Sequence, residues 1–431
     1  MKTIIYQVLT RLWKDGRMSS WQKADFDYLK SLNVDYVWFT GIPRHATGKD
    51  FVKGNPGSPY SITDWMDINP YLADNEENRM EEFRSLVKRT HGAGLKCIID
   101  FIPNHVAKDY RGKIAHFDYC DADWTDTLKN DYGNPATFPA LLEILRFWAS
   151  LGVDGFRCDM VELVPPDALK GLVSEIKSEY PDMIFIAEAY GRENYHRYAG
   201  YVGFDLLYDK SGAYDILRDI ICCGGSARRL TWNWQELGEL QPKMLNFLEN
   251  HDEQRIASRE FAGSPEKAYA ALAFSALFNT ASFMLYFGQE AGENAEGEYG
   301  GRTSIFEWHR PNSMDRIESF ISSGNGAVDG VREHYGEILK YAAMPVFRKG
   351  ETWDLCYCQP QGGAFNPDRH FAFLRYLKGH KTAWTVVCNF SGEDLDTEIY
   401  IPREPMGKEK RVSARVPSYG YSVIRTSWNS I

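Results

Sequence analysis

From residue 4 to residue 287 the chain alternates short apolar runs with amphipathic stretches of helical period, a pattern that restricts it to β-α units wound around a parallel sheet. The apolar runs fall at 4–8, 34–39, 95–101, 153–161, 183–187, 204–208, 244–248 and 283–287. Eight strands are the number that closes a (β/α)8 TIM barrel. A helix is predicted over 21–32 behind a Ser19-Ser20 cap. Further stripes are Met80, Phe83, Leu86 and Val87, stopping at Gly92-Ala93-Gly94, then Leu141, Leu142, Leu145 and Trp148, stopping at Gly152, and then Leu169, Leu172, Val173 and Ile176. An Ala-rich helix from about Glu266 leads into the eighth strand.

After about residue 347 the period changes from helical to two, with strands expected at 371–377, 383–390, 397–401 and 419–424, which is a C-terminal antiparallel β domain. The expected division is a catalytic barrel over 1–105 and 136–346, a short insertion over 106–135 after the third strand, and the β domain over 347–431. The Gly-rich stretch 288–302 is long enough to cover one barrel mouth, whereas 324–330 matches a dinucleotide loop only in a loose GxGxxxG spacing with no strand before it. With 49 basic against 59 acidic residues, the net charge of -10 repels a phosphate backbone and an anionic lipid surface, so neither nucleic acid nor membrane is an expected partner. Eight cysteines, among them Cys222-Cys223 and Cys356-Tyr357-Cys358, match no CxxC spacing and read as reduced core thiols. The N-terminal apolar run is too short for a signal segment and reads as a strand, so a cytoplasmic location is expected. Oligomeric state is not legible.

In a closed parallel barrel the active site lies at the C-terminal ends of the strands. Four ends are polar: Asp100-Phe-Ile-Pro-Asn-His105 at the third, Gly155-Phe-Arg-Cys-Asp159 at the fourth, Ala187-Glu-Ala189 at the fifth and Glu249-Asn-His-Asp-Glu253 at the seventh. Strand alternation turns Arg157 and Asp159 toward the barrel mouth and Phe156, Cys158 and Met160 toward the helices. A guanidinium beside a carboxylate favours the ionised acid, as a nucleophile requires. Glu188 ends an apolar run, where desolvation raises a carboxyl pKa and suits a proton donor. Two carboxyl groups about 5–5.5 Å apart, one anionic and one protonated, are the equipment of a retaining glycosidase, and a third, Asp252, is placed to stabilise an oxocarbenium-like sugar. Singly, each residue also fits a structural role: an ion pair for Arg157-Asp159, a first-turn charge for Glu188, a cap for Asp252, scaffold hydrogen bonds for His105 and His251. Their joint appearance at four strand ends favours a site. A metal-dependent hydrolase would need several converging histidines, and the first strand has no His-x-His.

The segments Asp100-Phe-Ile-Pro-Asn-His105, Gly155-Phe-Arg-Cys-Asp159, Glu188-Ala-Tyr190 and Phe247-Leu-Glu-Asn-His-Asp252, with Gly57-Ser-Pro-Tyr60-Ser-Ile-Thr-Asp64 and Tyr286-Phe-Gly-Gln-Glu290, resemble the signature regions of the α-amylase superfamily, glycoside hydrolase family 13. The resemblance implies Asp159 as nucleophile, Glu188 as general acid/base and Asp252 as transition-state stabiliser. It implies that Tyr60 stacks under the sugar, that His105 and His251 hydrogen-bond its hydroxyls, and that Arg157 holds Asp159. The implied activity is retaining hydrolysis of α-linked gluco-oligosaccharides or α-glucan. Transglycosylation or isomerisation of small α-glucosides, or an inactive carbohydrate-binding homologue, are the alternatives. The family's domain B is cut down here to 106–135, which implies a shallow cleft. No cofactor is required. A structural calcium is conceivable on Asn104 with Asp121, Asp123 and Asp126, although a solvated acidic loop explains those residues as well. Where many relatives carry a Lys-His pair after the nucleophile, this chain has Glu162-Leu163.

Overall fold

A computed structural model describes residues 2–323 and 329–428, so the core of the 324–330 loop, residues 324–328, lies outside the described residues. Eight parallel strands close into a barrel: β1 (Ile4–Leu9), β2 (Tyr36–Thr40), β3 (Lys96–Phe101), β4 (Gly155–Cys158), β5 (Ile184–Ala187), β6 (Leu206–Tyr208), β7 (Met244–Phe247) and β8 (Ser282–Tyr286). Strands pair in chain order, and β8 closes onto β1 with Ile4 opposite Phe283. These strands are mostly apolar because both faces are covered, one by the barrel interior and one by helices. Every residue of β1, β2, β4 and β8 is buried.

Helices α1 (Lys23–Ser31), α2 (Arg79–Gly92), α3 (Thr137–Ser150) and α4 (Pro166–Glu179) surround the strands, and the last three bury the stripes read from the sequence apart from Met80, which is half-buried. The first of them starts later than Ser19-Ser20 implies. Those serines belong to a 3-10 turn, and the Asp25 carboxylate accepts from the Gln22 N–H at 2.9 Å, capping α1 from its third position. Strand β4 ends at Cys158 instead of running to 161, because Met160 turns left-handed with φ of 43°. Between β3 and α3 the chain holds a small ribbon, His105–Ala107 against Thr127–Lys129. A second ribbon, Pro43–His45 against Ile62–Ile68, follows β2 and brings Tyr60 to the mouth.

The C-terminal region is antiparallel, with β9 (Glu351–Asp354), β10 (His370–Tyr376), β11 (Thr382–Asn389) and β14 (Tyr421–Ser427) in one sheet and β12 (Leu395–Ile401) with β13 (Lys410–Val416) in another. It is fastened to the barrel by Arg375, which is fully buried and donates to the carbonyls of Leu277, Phe278, Val346, Phe347 and Gly350. All eight cysteines are free thiols, but Cys97, Cys158 and Cys388 alone are core residues; Cys222 and Cys223 are exposed at the end of α5 (Asp215–Cys223). The N-terminal apolar run forms β1, and among the described residues no helix is long and apolar enough to cross a membrane.

Candidate active site

Strand register gathers the acids. Asp100 pairs with Arg157 across β3 and β4, and Cys158 pairs with Ala187 across β4 and β5. The ladder continues one residue further, the Asp159 N–H donating to the Phe101 carbonyl at 2.9 Å and the Glu188 N–H to the Cys158 carbonyl at 3.0 Å. Asp159 and Glu188 therefore leave adjacent strands at the same height. Gly155 permits the close approach of β4 to β5, since a Cβ there would stand 2.6 Å from Ile184 Cγ1. Asp252 arrives from the turn after β7, where the Asn250 side-chain oxygen accepts from the N–H groups of Asp252 and Glu253 at 2.8 and 3.0 Å.

A cavity of about 490 Å³ opens at this mouth, and Tyr60, His105, Asp159, Glu188, His251 and Asp252 all line it. Its outer walls come from the 106–135 insertion, through Asp123, Trp124 and Asp126, and from the segment after β8, through Arg302, Ile305 and Phe306. Arg157 is the exception among the expected site residues. It has no exposure and lies beneath the acids, with Nη1 against Asp159 Oδ1, Nη2 2.8 Å from Glu188 Oε2, and Asp100 Oδ1 3.7 Å away. The rings of Trp38, Tyr60 and Tyr208 enclose it at 5.4–5.6 Å. Arg157, read as turned toward the barrel mouth and grouped with the substrate-binding residues, lies below the cavity instead: alternation gives the face of a strand but not the depth in the barrel. Met160 is corrected in the opposite sense. It lines the cavity, because its left-handed backbone breaks the alternation, and its N–H donates to Glu188 Oε2 at 2.9 Å.

The carboxyl groups are charged differently by their surroundings. Burial pushes Glu188 up to about 7 against the pull of Arg157, with Asp159 and Asp252 adding to the rise. Burial also raises Asp159, and Arg157 opposes without cancelling it, so the neighbouring guanidinium emphasised by the sequence is only half of that balance. For Asp252 burial is outweighed by the charge and hydrogen bond of His251, which bring it down to about 2. His251 is correspondingly raised despite its burial, whereas burial lowers His105 to about 4.

Several supporting contacts escaped the sequence reading. Tyr60 stacks on His251 with ring centres 5.0 Å apart and reaches Asp100 Oδ1 with its hydroxyl at 3.3 Å. Trp38 Nε1 donates to Asp100 Oδ2 at 3.0 Å, and Gln7 Nε2 lies 2.7 Å from His251 Nδ1. The Tyr190 hydroxyl donates to Glu188 Oε1 at 2.7 Å. Gln7 and Asp100 are each a polar residue inside an otherwise apolar strand, and Tyr190 falls within the segment Glu188-Ala-Tyr190, but the sequence gave none of the three a role.

Of the residues named for calcium, Asp123 and Asp126 line the cavity, and Asn104 and Asp121 are bonded to each other. Asp121 is neutralised by Lys129 at 2.9 Å and accepts from Asn104 Nδ2 at 3.0 Å. The side-chain oxygens of Asn104 and Asn130 and the Oδ2 of Asp126 are buried without hydrogen-bond partners. Among the described residues no group of three His, Cys, Asp or Glu could hold a metal.

Comparison with known proteins bears on the fold and family. The family model described as alpha amylase, catalytic domain, matches residues 22–130, a stretch that contains Tyr60 and His105 and stops short of the three acids. The amino acid transporter heavy chain SLC3A1 of Mus musculus is 27% identical over 267 residues, covering 50% of this chain and 35% of that protein. Alpha-amylase MalA of Haloarcula japonica is 26% identical over 348 residues, 74% of this chain and 47% of its own. The crystal structure of an alpha-amylase from Lactobacillus plantarum matches at a TM-score of 0.72 and 21% identity over 98% of both chains. The closed barrel with acids at its fourth, fifth and seventh strand ends defines a class of barrel proteins, and in these matches the chain is similar to members of the α-amylase superfamily. It spans about a third (35%) of the length of the first curated relative it matches.

Proposed function

We propose that this protein is a retaining α-glycoside hydrolase that acts on α-linked gluco-oligosaccharides or α-glucan by double displacement. One observation carries the reading: a single buried guanidinium touches both Asp159 and Glu188, while Asp252 lines the same cavity. A shared guanidinium holds the two acids at short range, which suits direct attack on the sugar and leaves little room for a water between them. Asp159 attacks the anomeric carbon as Glu188 protonates the bridging oxygen. Water deprotonated by Glu188 then releases the sugar with its α configuration kept. Tyr60 offers a ring to the pyranose, His105 faces its hydroxyls, and His251 sits beside Asp252 in the same cavity. A cavity of about 490 Å³ is toward the small end of the ligand-pocket range of about 300–1,000 Å³, so short oligosaccharides are the favoured substrates.

Relatives include a protein named as a transporter heavy chain as well as one named as an amylase, so an inactive homologue is the rival class. Against it stand three intact carboxylates with divergent proton affinities. The test is a chromatographic product profile from maltose, maltotriose, isomaltose, sucrose, trehalose and soluble starch. Consumption of short substrates is expected, together with a loss of several orders of magnitude in Asp159→Asn and Glu188→Gln at unchanged folding. Longer or rearranged products would mean that a sugar, instead of water, accepts the glycosyl group. Full activity in either variant would remove the assignment.

A further inference from the structure

Glu162 is the residue that departs from the Lys-His pair of many relatives, and it does not line the cavity. It belongs to the 3-10 turn Val161–Leu163 directly after Asp159. Its carboxylate reaches across to the loop after β5 and accepts from the Tyr190 N–H at 2.8 Å, the Gly191 N–H at 3.1 Å and Asn194 Nδ2 at 3.0 Å. The fit is close, since a Cβ on Gly191 would stand 2.6 Å from Glu162 Oε1. Tyr190, whose backbone Glu162 holds, places its hydroxyl 2.7 Å from Glu188 Oε1. The turn that follows one acid is thereby tied to the loop that furnishes a hydrogen bond to the other.

We propose that Glu162 is a positioning residue for the proton donor: by fixing the Tyr190–Gly191 backbone it holds the Tyr190 hydroxyl on Glu188 and so sets the pH at which Glu188 gives up its proton. The inference rests on the reading of Glu188 as acid/base. The groups that face Glu188 are Arg157 and Asp159 from β4 and its end, His105 from β3's end, Tyr208 from β6, Asp252 from the turn after β7 and Tyr190 from its own loop. Of these, Tyr190 alone is held in place by Glu162. A hydroxyl donating to a carboxylate favours the charged form, so its loss raises the pKa of the acid. A hydrogen bond to a charged group is strong enough for that rise to be about one pH unit.

The test compares Tyr190→Phe, Glu162→Gln, Glu162→Ala and the double variant Tyr190→Phe/Glu162→Gln. Two quantities are read: the basic limb of kcat/KM against pH, and the titration of the Glu188 carboxyl by infrared difference spectroscopy with Glu188→Gln as the subtraction. The expected result is an alkaline shift of about one unit in Tyr190→Phe, the same direction in Glu162→Gln, and no further shift in the double variant. A brace with no bearing on the proton donor would lower kcat or the melting temperature of Glu162→Gln and leave both titrations where they were, and that result overturns the inference. If Glu162→Ala does not fold, the glutamine and phenylalanine variants still decide. A Glu188 carboxyl that titrates near neutrality yet ignores Glu162 sinks this inference alone. One that shows no raised pKa in the parent protein sinks the acid/base reading beneath it.

Discussion

Replacing Arg157 by Met is the most severe single change the barrel offers. Its guanidinium is fully buried, touches Asp159 and Glu188 and lies within 3.7 Å of Asp100. Methionine keeps most of the volume and removes the charge. Removing one partner of a buried ion pair costs about 3–5 kcal/mol, and at about 1.4 kcal/mol per decade the folding equilibrium should weaken by roughly two to four orders of magnitude. The loss should be softened by proton uptake. Burial already raises Asp159 and Glu188 against the pull of Arg157, so both acids climb further when that pull is gone. A nucleophile that takes up a proton is inactive, so turnover at neutral pH should fall while the basic limb of the pH profile moves to higher pH. Urea denaturation and kcat/KM from pH 4 to 9 read the two effects. Lys at the same position restores the charge but not the two-pronged contact, and should recover stability more than rate. An Arg157→Met protein with the parent's urea midpoint and an unmoved pH profile would refute this electrostatic account.

Two further outcomes follow from the same geometry. Glu188 must be protonated to act as an acid and its pKa is raised to about 7, so kcat/KM should hold below that pH and decline as pH rises through it; a decline centred near the ordinary glutamate value would contradict this. Exhaustive chelation should leave both rate and melting temperature unchanged, because Lys129 already neutralises Asp121; a drop in either that added calcium reverses would contradict that reading.

The barrel was legible because each of its strands is an apolar run and most are separated from the next by a helical stripe, and the positions differ from expectation by a few residues at the ends. Register explains why the acids could be read together: Asp159 and Glu188 each stand one residue beyond the end of a strand, which the sequence displays as a charge terminating an apolar run. Depth was not legible, which is why Arg157 lies below the cavity, and neither was the left-handed turn at Met160 that brings that residue into it. In the C-terminal region β9 and β13 went unread. Strand β13 does alternate, burying Val412, Ala414 and Val416, but Lys410, Arg411 and Arg415 between them gave the segment the look of a solvated loop. Contacts such as Glu162 with the Tyr190–Gly191 backbone join a side chain to peptide groups 28 residues away and leave no trace in composition or spacing.

The central claim, that Asp159 forms a covalent bond to a sugar while Glu188 and Asp252 attend it, is tested most directly by mass-spectrometric mapping of the enzyme after reaction with a fluorinated α-glucosyl fluoride that slows release of the glycosyl group. A single hexosyl adduct on the peptide bearing Asp159 is the expected result. An adduct on Glu188 or Asp252, or turnover of the reagent with no adduct and an inverted product, would contradict it.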